Sequence, residues 1–144
     1  MAGKKQLPRL RPAKERGLDS EKITINLGVV DLGQIDLLVD EGFYANRTDL
    51  IRTAIRNQLL VHTDTVKQTI ARRTLVLGLQ HLSRADLERA LAAKQMLRIE
   101  VVGLARIADD VPAELARATV ASVTVLGAFH ASDAVRKALA DRIH

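Results

Sequence analysis

Polar and apolar side chains alternate along a short stretch near the start of the chain, KITINL at positions 22–27. A period of two predicts a β-strand with one buried face, formed by Ile23, Ile25 and Leu27. No second strand pattern lies nearby in the sequence, so the strand would leave backbone amides and carbonyls unpaired along its edges. Pairing with the same strand of a second chain satisfies these groups.

Two helices are predicted after this strand. An apolar stripe at helical spacing predicts the first over about residues 30–41, with its apolar side chains at Leu32, Ile35, Leu38 and Val39. Gly42 is placed to end this helix in a left-handed conformation. Asn46 is a good N-cap for the second helix, and Asp49 three residues later gives a capping-box-like pair.

The C-terminal half contains an internal repeat. Superposing Gly78, Gly103 and Gly127, which are 25 and 24 residues apart, aligns three segments that each read as an apolar strand, a glycine, a turn and a short helix. The expected apolar helix pairs are Leu87 with Leu91, Val111 with Leu115, and Val135 with Leu139. A β-α unit repeated at about 24 residues predicts parallel strands connected by helices.

The strand, helix, glycine corner and helix over residues 20–62 together resemble the ribbon-helix-helix family of the CopG, Arc and MetJ kind. The resemblance rests on KITINL, on the Ile35-Asp36 pair, on residues 39–42 and on NRTDLIR at the start of the second helix. It implies an intertwined homodimer whose two strands pair as an antiparallel ribbon. The chain departs from the family pattern at residues 28–31, where GVVD replaces a proline followed by acidic residues.

The resemblance also implies which residues contact DNA. The polar side of the ribbon would contact base edges in the major groove through Lys22, Thr24 and Asn26. Lysine can donate to guanine, asparagine can bond to adenine, and threonine can pack on a thymine methyl group. The start of the second helix would hold a phosphate through Asn46, Arg47 and Thr48. Without the resemblance, a solvated strand face would be the better interpretation of these three residues.

The net charge of +5 is concentrated at the N-terminus. Residues 1–17 contain one acidic residue, Glu15, against six basic residues, Lys4, Lys5, Arg9, Arg11, Lys14 and Arg16. Two prolines and the lack of apolar periodicity predict a flexible basic arm over residues 1–19. Such an arm can lie along phosphates and release their counterions, although a solubilising tail is the alternative.

Composition excludes several classes of site. The chain has no cysteine, and its aromatic fraction of 2% disfavours binding of single strands by base stacking. Four histidines, His62, His81, His130 and His144, are too far apart in sequence to predict a metal site, although His81 and His130 follow their repeat glycines at similar positions. No catalytic arrangement and no cofactor motif is found, so we expect no enzymatic activity. The lack of an apolar span or signal peptide predicts a cytoplasmic protein.

Taken together, these patterns predict a mixed α and β chain. It would consist of a basic arm (1–19), a ribbon-helix-helix domain (20–62) and a C-terminal domain of about three β-α repeats (63–144). The expected function is that of a bacterial, nucleoid-associated, sequence-specific repressor that binds double-stranded DNA. The alternatives are a dimerising scaffold or protein-binding assembly factor, a plasmid-partition protein, or an antitoxin, although antitoxins more often end in a disordered tail. The repeats would extend oligomerisation or bind an effector or partner.

Overall fold

The computed structural model describes residues 20–144. The predicted basic arm, with Lys4, Lys5, Arg9, Arg11, Lys14 and Arg16, lies outside these residues, so its role stays a prediction.

The described residues form a mixed α and β structure, as the sequence predicts. In chain order its elements are α1 (Val29–Asp40), α2 (Arg47–Val61), α3 (Thr63–Arg73), β1 (Val76–Leu82), α4 (Arg84–Ala92), β2 (Leu97–Ile107), α5 (Ala113–Thr119), β3 (Val120–His130), α6 (Asp133–Ala138) and a short 3-10 helix (Ala140–Arg142).

The strand predicted at 22–27 is not formed within one chain. Residues 20–28 lie outside any helix or strand, and Ile23 and Ile25 are 72% and 55% exposed. The predicted partner strand belongs to a second chain, so a single chain offers it no neighbour to bond with. The antiparallel ribbon therefore stays a prediction, and the strands that the described residues do form are parallel.

A glycine corner connects α1 to α2, as predicted. Gly42 has a φ of +83°, its amide donates to the carbonyl of Val39 at 3.1 Å, and the amide of Phe43 donates to Leu38 at 3.0 Å. These two bonds satisfy carbonyls at the end of α1 and form a Schellman motif, which glycine fits because it has no Cβ. The corner directs the chain back so that α2 packs beside α1.

Helix α3 is an element that the sequence analysis missed. It follows α2 after a single residue, His62, and ends at Thr74, which has a left-handed conformation with a φ of +56°. Its sequence, TDTVKQTIARR, contains only two large apolar side chains, Val66 and Ile70, so it shows little of the apolar stripe that identifies a helix.

The repeat of the C-terminal half is confirmed. The three strands pair in parallel in the order β1-β2-β3, with Gly78 opposite Gly103 and Gly103 opposite Gly127. Helices α4 and α5 make the two crossovers between strands, and α6 follows β3. The glycines that align the repeats in sequence therefore lie in one row across the sheet.

The apolar pairs predicted for the helices are correct only in part. Leu87, Val135 and Leu139 are fully buried, but Leu91 is 49% exposed because the side chain of α4 that joins Leu87 in the core is Ala90. Val111 is buried but precedes α5. It is followed by Pro112, and a residue before proline is restricted to extended conformations.

The core lies between one face of the sheet and helices α4 to α6. Its buried members are Leu87, Ile99, Val101, Ala105, Ile107, Val111, Ala116, Val120, Val123, Val135 and Leu139. By contrast, α1, α2 and α3 contain no buried residue. Among residues 20–144 of one chain, only the C-terminal half has a core of its own.

The three aligned glycines, which we call the glycine row, have a backbone conformation that requires glycine. Gly78, Gly103 and Gly127 have φ values of +121°, +135° and +126°, a region that other residues rarely adopt. A Cβ on Gly103 would overlap the carbonyl oxygen of Gly78, and a Cβ on Gly127 would overlap that of Gly103. A Cβ on Gly78 would meet nothing within 4 Å.

We expect Gly103→Ala and Gly127→Ala to destabilise the protein more than Gly78→Ala. Alanine at Gly78 carries backbone strain alone, about 1–3 kcal/mol, whereas at the other two positions it also pushes two strands apart. Urea unfolding followed by circular dichroism measures the difference. Equal losses of unfolding free energy in the three variants would contradict this account of the row.

Candidate nucleic-acid interface

The predicted base-contacting side chains are accessible. Lys22, Thr24 and Asn26 are all exposed, as are the apolar residues that alternate with them. The segment is not paired into a strand within the described residues, although Glu21 and Ile23 border a groove on the C-terminal sheet.

The start of α2 is capped as the sequence predicts. The Asn46 side chain accepts a hydrogen bond from the Asp49 amide at 2.8 Å, and the Asp49 carboxylate accepts one from the Ala45 amide at 3.0 Å. The first intrahelical bond runs from Leu50 to the Asn46 carbonyl, so the amides of Arg47 and Thr48 have no acceptor within the helix. These amides lie at the positive end of the helix dipole.

Arg47 is not directed freely towards solvent but is paired with Asp36 of α1. Its Nε and Nη2 atoms donate to the two carboxylate oxygens at 2.6 and 2.7 Å. These hydrogen bonds lower the pKa of the Asp36 carboxyl below its ordinary value and raise that of the Arg47 guanidinium. The pair connects α1 to α2, and the sequence analysis assigned no role to Asp36 in it.

Two further arginines lie near the cap. A surface depression of about 410 Å³ beside the start of α2 is lined by Ala45, Asn46, Thr48, Asp49, Arg52, Thr53 and Arg56. Arg52 and Arg56 were not among the predicted site residues. The sequence does point to them, because Thr48, Arg52 and Arg56 follow one another at intervals of four residues and so share one face of a helix.

Two of the four histidines lie in one row of the sheet. They are His81 and His130, and Arg106 of β2 stands between them. Residues 20–144 contain no group of three histidine, cysteine, aspartate or glutamate side chains that could hold a metal ion. Instead, His130 Nε2 lies 2.9 Å from the Glu21 carboxylate, next to the predicted ribbon. In the same part of the chain, no helix is long and apolar enough to cross a membrane.

Comparison with known proteins identifies the family. A family model described as the ribbon-helix-helix transcriptional regulator family matches residues 18–136. This match extends well beyond residues 20–62, which carried the resemblance in sequence, and includes most of the β-α repeats. No curated protein and no solved structure matches the chain. Since the family model covers most of its length, the chain belongs to the ribbon-helix-helix transcriptional regulator family.

Proposed function

We propose that this protein is a bacterial repressor that acts as a homodimer on specific sites in the nucleoid. The dimer is supported by the lack of any buried residue in α1, α2 and α3, together with the exposed Ile23, Ile25 and Leu27 in the segment before them. A second chain that pairs its strand with residues 22–27 would cover these apolar faces and satisfy the backbone groups of both strands.

The energy available from this burial supports coupled folding and dimerisation. Fully burying a leucine, isoleucine or valine contributes about 1.5–3 kcal/mol. Three such strand residues from each chain provide a driving force comparable to the whole stability of a small domain, about 5–15 kcal/mol. The folded state of residues 20–61 would then depend on the concentration of chains.

In the dimer, alternation along the strand would direct Lys22, Thr24 and Asn26 away from the shared core. A two-stranded ribbon fits the major groove, and these side chains can donate to or accept from base edges. The cap of α2 would bind a phosphate through the amides of Arg47 and Thr48. Arg52 and Arg56 extend this positive surface along the same face. Phosphate contacts of this kind orient a protein on the duplex, whereas base contacts give it specificity.

Thr24→Ala and Asn26→Ala should each weaken binding to the preferred operator by about 1–3 kcal/mol, with much less effect on random duplex. Lys22→Ala should weaken binding to both, because its charge also attracts DNA of any sequence. Titration of a selected operator and a random duplex measures these effects. Matched controls are Asn57→Ala on α2 and Thr65→Ala on α3, both exposed and outside the ribbon.

The ribbon variants should keep the thermal midpoint of the parent, since their side chains do not contribute to the apolar core. A stable triple variant that prefers the operator as strongly as the parent would show that the ribbon does not recognise bases. A scaffold function would then explain the dimer better.

The Asp36–Arg47 pair predicts competition between a carboxylate and a phosphate for one guanidinium. Asp36→Asn should tighten binding to all duplexes, because it frees Arg47 and removes a negative charge. Arg47→Gln should weaken binding and reduce the log–log salt slope by about 0.9. Asp40→Asn on the same helix controls for charge alone. If Asp36→Asn has the same effect with and without Arg47 in a double-mutant cycle, the pair does not regulate binding.

Deleting residues 2–17 should weaken binding to every duplex and flatten its salt dependence. The deletion removes six basic groups, and each phosphate neutralised contributes about 0.9 to the slope. Preference for the operator should survive, because the arm would contact phosphates only. An unchanged slope would show that the segment acts as a solubilising tail.

A further inference from the structure

One face of the parallel sheet is only partly covered. We call it the outer face: the side opposite α4 to α6, with two rows of apolar side chains, Leu77, Val102 and Leu126 in one row and Leu79, Leu104 and Ala128 in the other. These positions alternate with those that point into the core. Leu77, Leu79 and Leu126 are 64%, 66% and 50% exposed. Parallel sheets are normally covered on both faces. In the single chain this face is covered only in part, by Ser20, Glu21 and Ile23 at its middle, where Leu104 is buried.

The glycine row runs between the two apolar rows. Because Gly78, Gly103 and Gly127 have no side chains, the middle of the outer face is a shallow groove of about 430 Å³, bordered by Leu79, Leu104 and Ala128. A groove with a backbone floor allows another surface to approach closely along this line.

Opposite charges lie at equal distances on the two sides of the groove. Glu100 is three residues before Gly103 on β2, and Arg106 is three residues after it. By alternation both side chains belong to the outer face. Neighbouring strands place Thr124 beside Glu100, and His81 and His130 on either side of Arg106. Glu100 therefore lies towards the amino end of the face and Arg106 towards its carboxyl end. Within the chain, Arg106 lies 3.7 Å from Asp109 and His130 lies 2.9 Å from Glu21, so Glu100 of a partner subunit would have to compete with Asp109 for Arg106.

This arrangement is self-complementary under a two-fold rotation about the glycine row. The rotation reverses the strand direction and lays each strand over its own copy. Arg106 then faces Glu100 of the partner subunit, and Leu79 faces Leu77 of the partner subunit. The same rotation sets Leu104 against Val102 and Ala128 against Leu126, so each apolar row meets the other. Symmetric interfaces between identical chains are built in this way.

We propose that the outer face is an interface between two copies of this chain, packed face to face with antiparallel strands about the glycine row. Sheets packed face to face lie about 10 Å apart. The bare backbone of the glycine row allows a closer approach beside it, as a disulfide between facing positions requires. The interface uses strands other than the predicted ribbon, although Ile23 of the ribbon segment borders the same groove, and it does not depend on DNA binding. It joins the two chains of a ribbon dimer or one chain from each of two dimers.

Disulfide trapping tests this register, since the chain contains no cysteine. Full-length Leu77→Cys and Leu79→Cys chains, carrying tags of different length, are co-expressed and mildly oxidised. We expect several-fold more disulfide between the two different variants than between two copies of the same variant, because position 77 of one chain faces position 79 of the other. The absence of this excess in a sample that still binds operator DNA would overturn the interface and leave the proposed function intact.

The main competing occupant is the chain's own N-terminal segment, because Ser20, Glu21 and Ile23 border the same groove. An Ile23→Cys/Leu79→Cys variant distinguishes the two. Efficient closure of a disulfide within one chain, with no covalent dimer in the mixed sample, would assign the face to that segment and overturn the proposal.

Charge reversal gives an independent test. Arg106→Glu and Glu100→Arg should each raise the dissociation constant for self-association about tenfold, measured by sedimentation, and the double variant should return to within about threefold of the parent. The two residues of one chain are about 20 Å apart along β2, so rescue requires a second chain. Arg98→Glu is the matched control, because position 98 would face the region beyond the end of β2 in the partner subunit. A double variant no tighter than the singles would overturn the proposal.

Discussion

The rest of the structure depends on apolar surface that the first part of the chain cannot bury alone. Between the arm and the sheet, helices α1 to α3 contain no buried side chain, and the segment before them exposes isoleucines at 23 and 25. Local order there comes from hydrogen bonds instead, between backbone groups at the Gly42 corner and from the Asp49 amide to the Asn46 side chain at the cap. These fix how α1 and α2 meet but provide little burial. In the proposed dimer a second chain supplies the missing burial, which would couple folding to association.

Features that depend on local spacing were predictable from the sequence. The glycine corner follows from one residue that tolerates positive φ, and the strand register follows from glycines that recur every 24 to 25 residues. In the same way, the N-cap at Asn46 required only a side chain of the right length before an apolar run. The family model confirms the assignment that these patterns supported.

Features that depend on the relative orientation of elements were not predictable. The Asp36–Arg47 pair joins residues 11 apart across a corner, and no pattern in the sequence shows that their side chains meet. Helix α3 was missed because a mostly polar helix lacks an apolar stripe. The predicted ribbon is a different case, since its strand would acquire a partner only in a second chain. Sequence periodicity predicts such a strand, but a single chain offers it no partner.

The glycine row differs between the first strand and the later strands, and this difference affects where further β-α units can be added. Each later glycine accommodates the carbonyl of the strand before it, while Gly78 in the first strand has the same conformation with open space beside it. For a duplicated β-α unit inserted ahead of β1, Gly78 already leaves space for the carbonyl of the new strand. A unit added after β3 would have to bring its own glycine. Growth of the array is therefore less constrained at its amino end, and related chains with more repeats should have gained them there.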